Sequence, residues 1–174
     1  MKSLMILAAL TLGTAAQAES HAMTMDHGNT PAMADAAPVT LGDLTIAGAF
    51  TRATLPNAPV AGGFLTITNA GATDDTLIGA TTPAAGMTQV HEMVFSRDVM
   101  KMRELPDGLP VPAGQTVTLE PGGYHLMFMD LTQTFDEGDS VETTLMFEQA
   151  GVVTVTLPIG APNAKGADHA GHKD

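Results

Sequence analysis

The chain has 174 residues, and its 7 Lys and Arg against 19 Asp and Glu give a formal net charge of −12 at pH 7. A surface of this sign repels nucleic acid and anionic lipid and keeps an exported protein soluble, so we expect a monomer that binds neither. The absence of cysteine excludes thiolate metal sites, cysteine nucleophiles and the blue-copper centre, whereas 12 methionines leave thioether sulfur as a soft ligand.

The first eighteen residues are typical of an export signal. Lys2 provides the positive start, residues 4–12 form the apolar stretch, and Ala16-Gln17-Ala18 is the small-residue cleavage site. An uncleaved membrane anchor would need roughly 20 apolar residues, and polar residues interrupt this run too early. The sequence therefore predicts export to the periplasm, cleavage after Ala18 and a mature chain that does not insert into the membrane.

Two segments without apolar periodicity, residues 19–38 and 160–174, are predicted to be flexible arms. Their metal-ligating side chains are His21, Met23, Met25, His27, Met33, His169 and His172. Short tracts of this kind are compositional signals only. The arms are interpreted either as tethers that carry ligands or as an inert linker and a solvated tail.

Residues 39–159 form a series of short β-like runs separated by Gly, Pro, Asn and Asp. The predicted strands are residues 44–49, 63–68, 76–81, 88–95, 99–104, 115–119, 124–131, 140–147 and 152–157. Their regular spacing, roughly ten residues, is typical of a Greek-key sandwich or barrel. We therefore predict a single all-β domain.

The strands at 88–95 and 99–104 form a predicted hairpin around a turn at residues 96–98. A loop with an even number of residues places His91 and Met102 on one face of the hairpin. They are directly opposite if the loop is centred on residues 96 and 97, and diagonal neighbours if it is centred on residues 97 and 98. A three-residue loop separates them, so the sequence leaves their contact open.

The strand that begins at Tyr124 has His125, Met127 and Met129 on one face. Leu126 and the phenylalanine that follows Met127 point to the other face, which is the expected core side. The Cα atoms of His125 and Met127 are then about 6.6 Å apart, from two rises of roughly 3.3 Å. Two side chains at this spacing can bind one ion.

Two imidazoles and two thioethers would make a neutral, soft metal site. The proposed ligands are His91, Met102, His125 and Met127, with Met93, Met100 and Met129 as further candidates on the same strands. Thioether sulfur favours Cu(I), whereas zinc more usually binds thiolate, imidazole or carboxylate. The competing interpretation is that the methionines fill a core and the histidines are ordinary surface residues, and spacing alone does not decide between the two.

These residues resemble the PCuAC family of periplasmic copper chaperones, whose pattern is a His, about ten residues, a Met, about twenty-one residues and a His-x-Met pair. Ten residues separate His91 from Met102, and twenty-two more precede His125-Leu126-Met127. The second spacing is one residue longer than is usual in the family. The additional residue falls in a stretch that contains the loop at residues 105–114, where an insertion is easily absorbed.

The resemblance covers about residues 39–159 and implies a cupredoxin-like sandwich that holds Cu(I). It implies delivery of copper to an acceptor, commonly the dinuclear copper centre of a cytochrome c oxidase subunit, sometimes alongside a thiol-based copper chaperone. General periplasmic copper storage, scavenging or resistance is the alternative function. The arms are expected to prefer Cu(II), because imidazole, backbone nitrogen and carboxylate donors suit that ion and residues 168–172 supply them.

Two other classes of function, a copper enzyme and a structural protein, are the alternatives to copper binding and delivery. An enzyme that uses copper for redox turnover is disfavoured, because thioether ligation favours one oxidation state. The sequence also offers no nucleophile with a base, phosphate loop or carboxylate pair. A plain adhesion or structural sandwich, in which the Met and His positions are incidental, would contain no metal. We therefore expect a binding protein rather than an enzyme.

Overall fold

The computed structural model describes residues 36–96 and 99–166. The predicted export signal and its cleavage site lie outside this range. So do the ligand candidates of the two arms, which are His21, Met23, Met25, His27, Met33, His169 and His172.

Eleven strands make up the described part of the chain. They are β1 (Val39–Leu41), β2 (Leu44–Arg52), β3 (Val60–Asn69), β4 (Asp75–Thr81), β5 (Ala85–Ser96), β6 (Val99–Glu104), β7 (Leu109–Val111), β8 (Thr116–Leu119), β9 (Tyr124–Leu131), β10 (Ser140–Phe147) and β11 (Gly151–Gly160). All nine strands predicted from the sequence are present. The two that were missed, β1 and β7, are each three residues long, which is too short for an alternating pattern to be read.

The strands form two sheets that share β11, so the predicted all-β sandwich is confirmed. The first sheet follows the order β6-β5-β9-β8-β3-β2, with β1 beside β2. The second follows β11-β10-β4-β7. The end of β11 leaves β10 and pairs in parallel with β2 at Thr51 and Arg52, which joins the sheets.

Apolar side chains from both sheets meet in one core. Leu126 and Phe128 of β9 are fully buried there, together with Leu145 of β10 and Leu157 of β11. β10 alternates exposed and buried residues over most of its length, as expected for a strand with one face on a core. The predicted core face of β9 is therefore confirmed, and the other face of this strand is available for a site.

Within residues 36–96 and 99–166, no helix is long and apolar enough to cross a membrane.

Candidate metal centre

The two histidines of the predicted site lie side by side on neighbouring strands. β5 and β9 are antiparallel, and their register places His91 directly opposite His125. The rings meet edge to face, with centroids 5.8 Å apart and planes at 68°. Sequence reasoning expected both histidines in one site, but it did not predict that β5 and β9 are adjacent.

The hairpin of β5 and β6 adopts one of the registers that the sequence left open. Ser96 pairs with Val99, so the loop contains two residues and is centred on residues 97 and 98. This register places Met102 opposite Met93, and Glu104 opposite His91. His91 and Met102 are therefore diagonal neighbours on one face.

Met93 and Met102 face each other on β5 and β6 without hydrogen bonds between their backbones, and this type of cross-strand pair has the shorter Cα–Cα distance. The backbone N–H of Met93 donates to the carbonyl oxygen of Gly123, at 3.1 Å, on the β9 side. The polar backbone groups of Met93 thus point away from β6, which makes its pairing with Met102 a pair without hydrogen bonds between the two residues. Such pairs bring their Cα atoms to about 4.5 Å, so the two thioether side chains lie close together.

A shallow cavity of about 320 Å³ lies where β3, β5, β6 and β9 meet. Its lining residues are Arg52, Val60, Ala61, Gly62, Phe64, Met93, Met102, Pro121, Gly122, His125 and Met127. Three of the four proposed ligands therefore line one space. His91, the fourth, is next to His125 and is not among the lining residues.

The secondary candidates on these strands separate into two groups. Met93 lines the cavity, so the structure brings it to the three ligands there. Met100 is 46% exposed and lies outside the cavity lining. Met129 pairs with Val60 and Met87, further along β9, and is also outside the lining.

Hydrogen bonds of the two imidazoles leave one ring nitrogen of each free for a ligand bond. The Nδ1–H of His125 donates to the carbonyl oxygen of Gly123 at 3.1 Å, which leaves the lone pair on Nε2. The Nε2–H of His91 donates to Oε1 of Gln89 at 2.9 Å, which leaves the lone pair on Nδ1. These assignments follow because both partners accept, through a carbonyl or amide oxygen.

The free nitrogen of His91 is itself evidence for a ligand. His91 Nδ1 is buried and has no hydrogen-bond partner in the structure. An unpartnered buried polar atom costs about 1–3 kcal/mol and calls for an explanation. A metal ion bound by imidazole would provide the missing partner, so the donor set fits a soft cation.

The environment of His91 favours its neutral form. Burial lowers the pKa of His91, and the positive charge that His125 would carry lowers it further, whereas Glu104 acts in the opposite direction. A neutral imidazole is the form that binds metal. The site is therefore ready for a cation at neutral pH without first releasing a proton from His91.

The described residues contain no group of three or more His, Asp or Glu that could hold a metal ion. A site for a hard ion such as Mg²⁺ or Ca²⁺ would need several oxygen ligands. The donors that line the cavity with His125 are thioethers, which prefer Cu(I). The geometry therefore supports a soft, neutral donor set.

Sequence reasoning missed two contributors to this geometry. Gln89 fixes the ring of His91 and lies opposite Met127 on β9. Gly62 lies opposite Met127 on β3, and a Cβ added there would meet the Phe64 ring at 3.0 Å. The His-x-Met alternation that identified β9 gave no signal for either residue, because both depend on the pairing of distant strands.

The fold and the cavity define an all-β, cupredoxin-like domain with a candidate soft-metal site. Residues 44–159 match the family described as Putative lipoprotein LpqE-like, and the chain belongs to this LpqE-like family. It is 34% identical over 93 residues to Putative lipoprotein Lxx21020 of Leifsonia xyli subsp. xyli (strain CTCB07), a match that covers 53% of this chain. The chain spans only 56% of the length of that relative.

Structures of PCuAC domains and of DR1885 share the fold. The apo PCuAC domain from PmoF1 superposes with a TM-score of 0.62 at 26% identity, covering 72% of this chain and 99% of that domain. The copper-bound PCuAC domain from PmoF2 gives 0.61 at 27% identity, covering 72% and 98%. The CuI-DR1885 solution structure from Deinococcus radiodurans gives 0.56 at 27% identity, covering 74% and 83%. The cupredoxin-like prediction is confirmed by these similarities.

Proposed function

We propose that this protein is an exported copper chaperone that binds one Cu(I) ion and transfers it to an acceptor protein. The proposed ligands are His91, Met102, His125 and Met127, with Met93 as a further thioether donor. The observation that carries the proposal is that the strand register places the two imidazoles and the thioethers on one face of β5, β6 and β9, where three of the four proposed ligands line one cavity. Copper bound to two of the similar structures supports it.

The openness of the site to solvent is consistent with a carrier. Met102 is 47% exposed, whereas His125 is almost completely buried. An acceptor can therefore reach the ion from the Met102 side while His125 still holds it. Stepwise exchange of this kind avoids release of the free ion and involves no turnover of substrate, so we assign binding and delivery rather than catalysis.

The periplasm is the proposed compartment, because the first eighteen residues have the features of an export signal and the relative from Leifsonia is described as a lipoprotein. A cytochrome c oxidase subunit is the proposed acceptor. A thiol-based chaperone is a second partner in this proposal.

Transfer of copper tests the proposed function directly. The protein loaded with Cu(I) is mixed with the soluble domain of a cytochrome c oxidase copper subunit, and the metal content of each is measured after separation. We expect transfer to the oxidase domain without release to a chelator of weaker affinity. Retention of copper by the loaded protein would instead favour storage or resistance, and failure to bind Cu(I) would contradict the proposal altogether.

Gln89 is expected to act as a positioning residue for His91. Replacement of Gln89 by Leu removes the acceptor that holds His91 Nε2–H, so the imidazole can rotate and change tautomer. Loss of such a partner typically lowers metal affinity about 10–100-fold. Competition with a Cu(I) chelator measures the effect. The matched variant Gln89→Glu keeps an acceptor oxygen and is expected to retain most of the affinity, and equal affinity of the Leu variant would contradict this role.

The arms are expected to bind Cu(II) while the core binds Cu(I). Replacement of His169 and His172 by Ala in the full mature chain should remove most Cu(II) binding and leave the single Cu(I) site. The reason is that tetragonal Cu(II) prefers imidazole, backbone nitrogen and carboxylate over thioether. Titration with each ion, together with the Cu(II) paramagnetic resonance spectrum, measures this. An unchanged Cu(II) capacity would assign Cu(II) binding to other residues and the tail to an inert role.

A further inference from the structure

β6 is an open sheet edge that carries a proposed copper ligand. In the described part of the chain β6 pairs with β5 alone and ends the first sheet. Every residue of β6 is exposed, including the apolar Val99 at 53% and Met100 at 46%. An exposed edge with apolar side chains can accept a strand from another protein.

The backbone groups of β6 that are free for such pairing belong to Met100, Met102 and Glu104, the alternate residues of the strand. Leu105 N–H donates to the Val90 carbonyl oxygen at 2.9 Å, which makes these two residues a hydrogen-bonded pair. Because hydrogen bonding alternates along an antiparallel pair, Met102 and Met100 direct their N–H and C=O groups away from β5. A strand that paired with this edge would therefore lie directly beside the copper ligand Met102.

Half of the described cationic residues lie on β6, in an otherwise acidic protein. The Lys and Arg residues among those described are Arg52, Lys101, Arg103 and Lys165. Arg52 lines the cavity, and Lys101 and Arg103 lie on β6 itself. Two carboxylates lie on the same hairpin: Glu92 of β5 is bonded to Arg103, and Glu104 ends β6 on the face of Met102, opposite to that of Lys101.

Only part of this positive charge is neutralised within the described chain. Arg103 bonds Glu92 through Nε at 2.8 Å and Nη2 at 2.7 Å, while its side chain remains 65% exposed. This is the only ion pair that the described residues form, so Lys101 and Arg52 have no carboxylate partner among them. A negatively charged partner protein would supply the missing carboxylate.

We propose that the β6 edge is the docking surface for the copper acceptor, which adds an extended segment with alternating acidic residues to this sheet. Lys101 and Arg103 share one face of β6, and Met100 and Met102 share the other. Acidic side chains of the added strand would lie beside Lys101 and Arg103, and its apolar or metal-binding side chains would lie beside Met100 and Met102. This inference rests on the proposed copper delivery, since it identifies the surface on which delivery occurs.

A second copy of this chain does not fit the same surface. Antiparallel pairing of two β6 edges would place Lys101 and Arg103 against the same residues of the other copy. Like charges opposite each other destabilise a strand pair. The occupant is therefore a different, acidic protein segment.

Two peptides that differ only in charge test the proposal on the full mature protein. Each has about seven residues, the length of a short strand, and alternates Val with either Glu or Lys. We expect the Glu peptide to bind at least about tenfold more tightly and to shift the amide NMR signals of Met100 and Met102. Equal affinity of the two peptides, no binding of either, or shifts confined to other strands would overturn the proposal.

Variants of β6 separate strand addition from simple charge attraction. Met100→Pro removes an N–H that points away from β5 and should abolish binding of the Glu peptide, whereas Met100→Leu should retain it. Lys101→Glu should weaken that binding about tenfold and leave Cu(I) affinity unchanged, since Lys101 faces away from the cavity. Unchanged peptide binding by Met100→Pro would reject strand addition. Chelator competition on the same samples reports the copper site separately, so loss of copper binding is distinguished from loss of docking.

Discussion

Replacement of Met127 by Leu is expected to lower the Cu(I) affinity by at least about 100-fold, which exceeds the usual effect of losing a residue that only supports a ligand. Met127 lines the cavity with Met102 and His125, and leucine has a similar volume but no donor sulfur. A volume-conserving exchange costs less than about 1.5 kcal/mol of folding free energy. The fold should therefore survive, and competition with a Cu(I) chelator measures the loss.

Met129→Leu is the matched control for this experiment. Met129 lies on the same strand and is also partly buried, but it is not among the residues that line the cavity. Its exchange should leave Cu(I) affinity nearly unchanged. His125→Gln should behave like Met127→Leu, because it removes the free Nε2 of the buried imidazole. Parental affinity of either the Met127 or the His125 variant would show that the ligands are assigned wrongly.

Cu(I) affinity is expected to fall steeply below neutral pH. Protons compete for imidazole, whose ordinary pKa is about 6.5, but not for thioether sulfur. Below its pKa, each histidine ligand reduces affinity by about tenfold per pH unit. Since burial lowers the pKa of His91, protons begin to compete at this ligand at a lower pH than the ordinary value. The direction is thus a loss of affinity on acidification, with the contribution of His91 appearing below the ordinary range of imidazole.

Chelator competition at constant ionic strength between pH 8 and pH 5 measures this profile. His91→Gln should show a shallower decline than the parent, because one competing proton site is gone. The apo protein provides a second readout. A histidine whose pKa is lower in the folded state binds fewer protons than in the unfolded chain, so His91 should make the apo fold less stable as pH falls below about 6.5. An affinity that is flat over this range would mean that the histidines are not ligands.

Much of the candidate site could be predicted from short segments of the sequence. Alternation along β9 placed His125 and Met127 on the face opposite Leu126, and the structure buries Leu126 in the core. Spacing alone did not decide whether His91 meets Met102. That contact depends on a hairpin loop of two residues, and a one-residue change in loop length would place Met102 on the face opposite to that of His91.

The pairing of strands far apart in the sequence could not be predicted in the same way. The contact of His91 with His125 requires β5 to lie beside β9, although 27 residues separate these strands from end to start. Their adjacency results from burial of Val90 and Leu126 in the shared core, which is a property of the whole sandwich. Local propensity carries no information about which distant strand becomes the neighbour.

The sequence by itself therefore determined the all-β class, the core side of β9 and the soft character of the available ligands, because these depend on residue type and on a period of two. Only the tertiary structure decided which ligands share a cavity, which nitrogen of each histidine is free and which strand is left at the edge. Those features depend on register and on hydrogen bonds between strands, such as those of His91 with Gln89 and of His125 with Gly123. They are fixed only when the two sheets close over their common core.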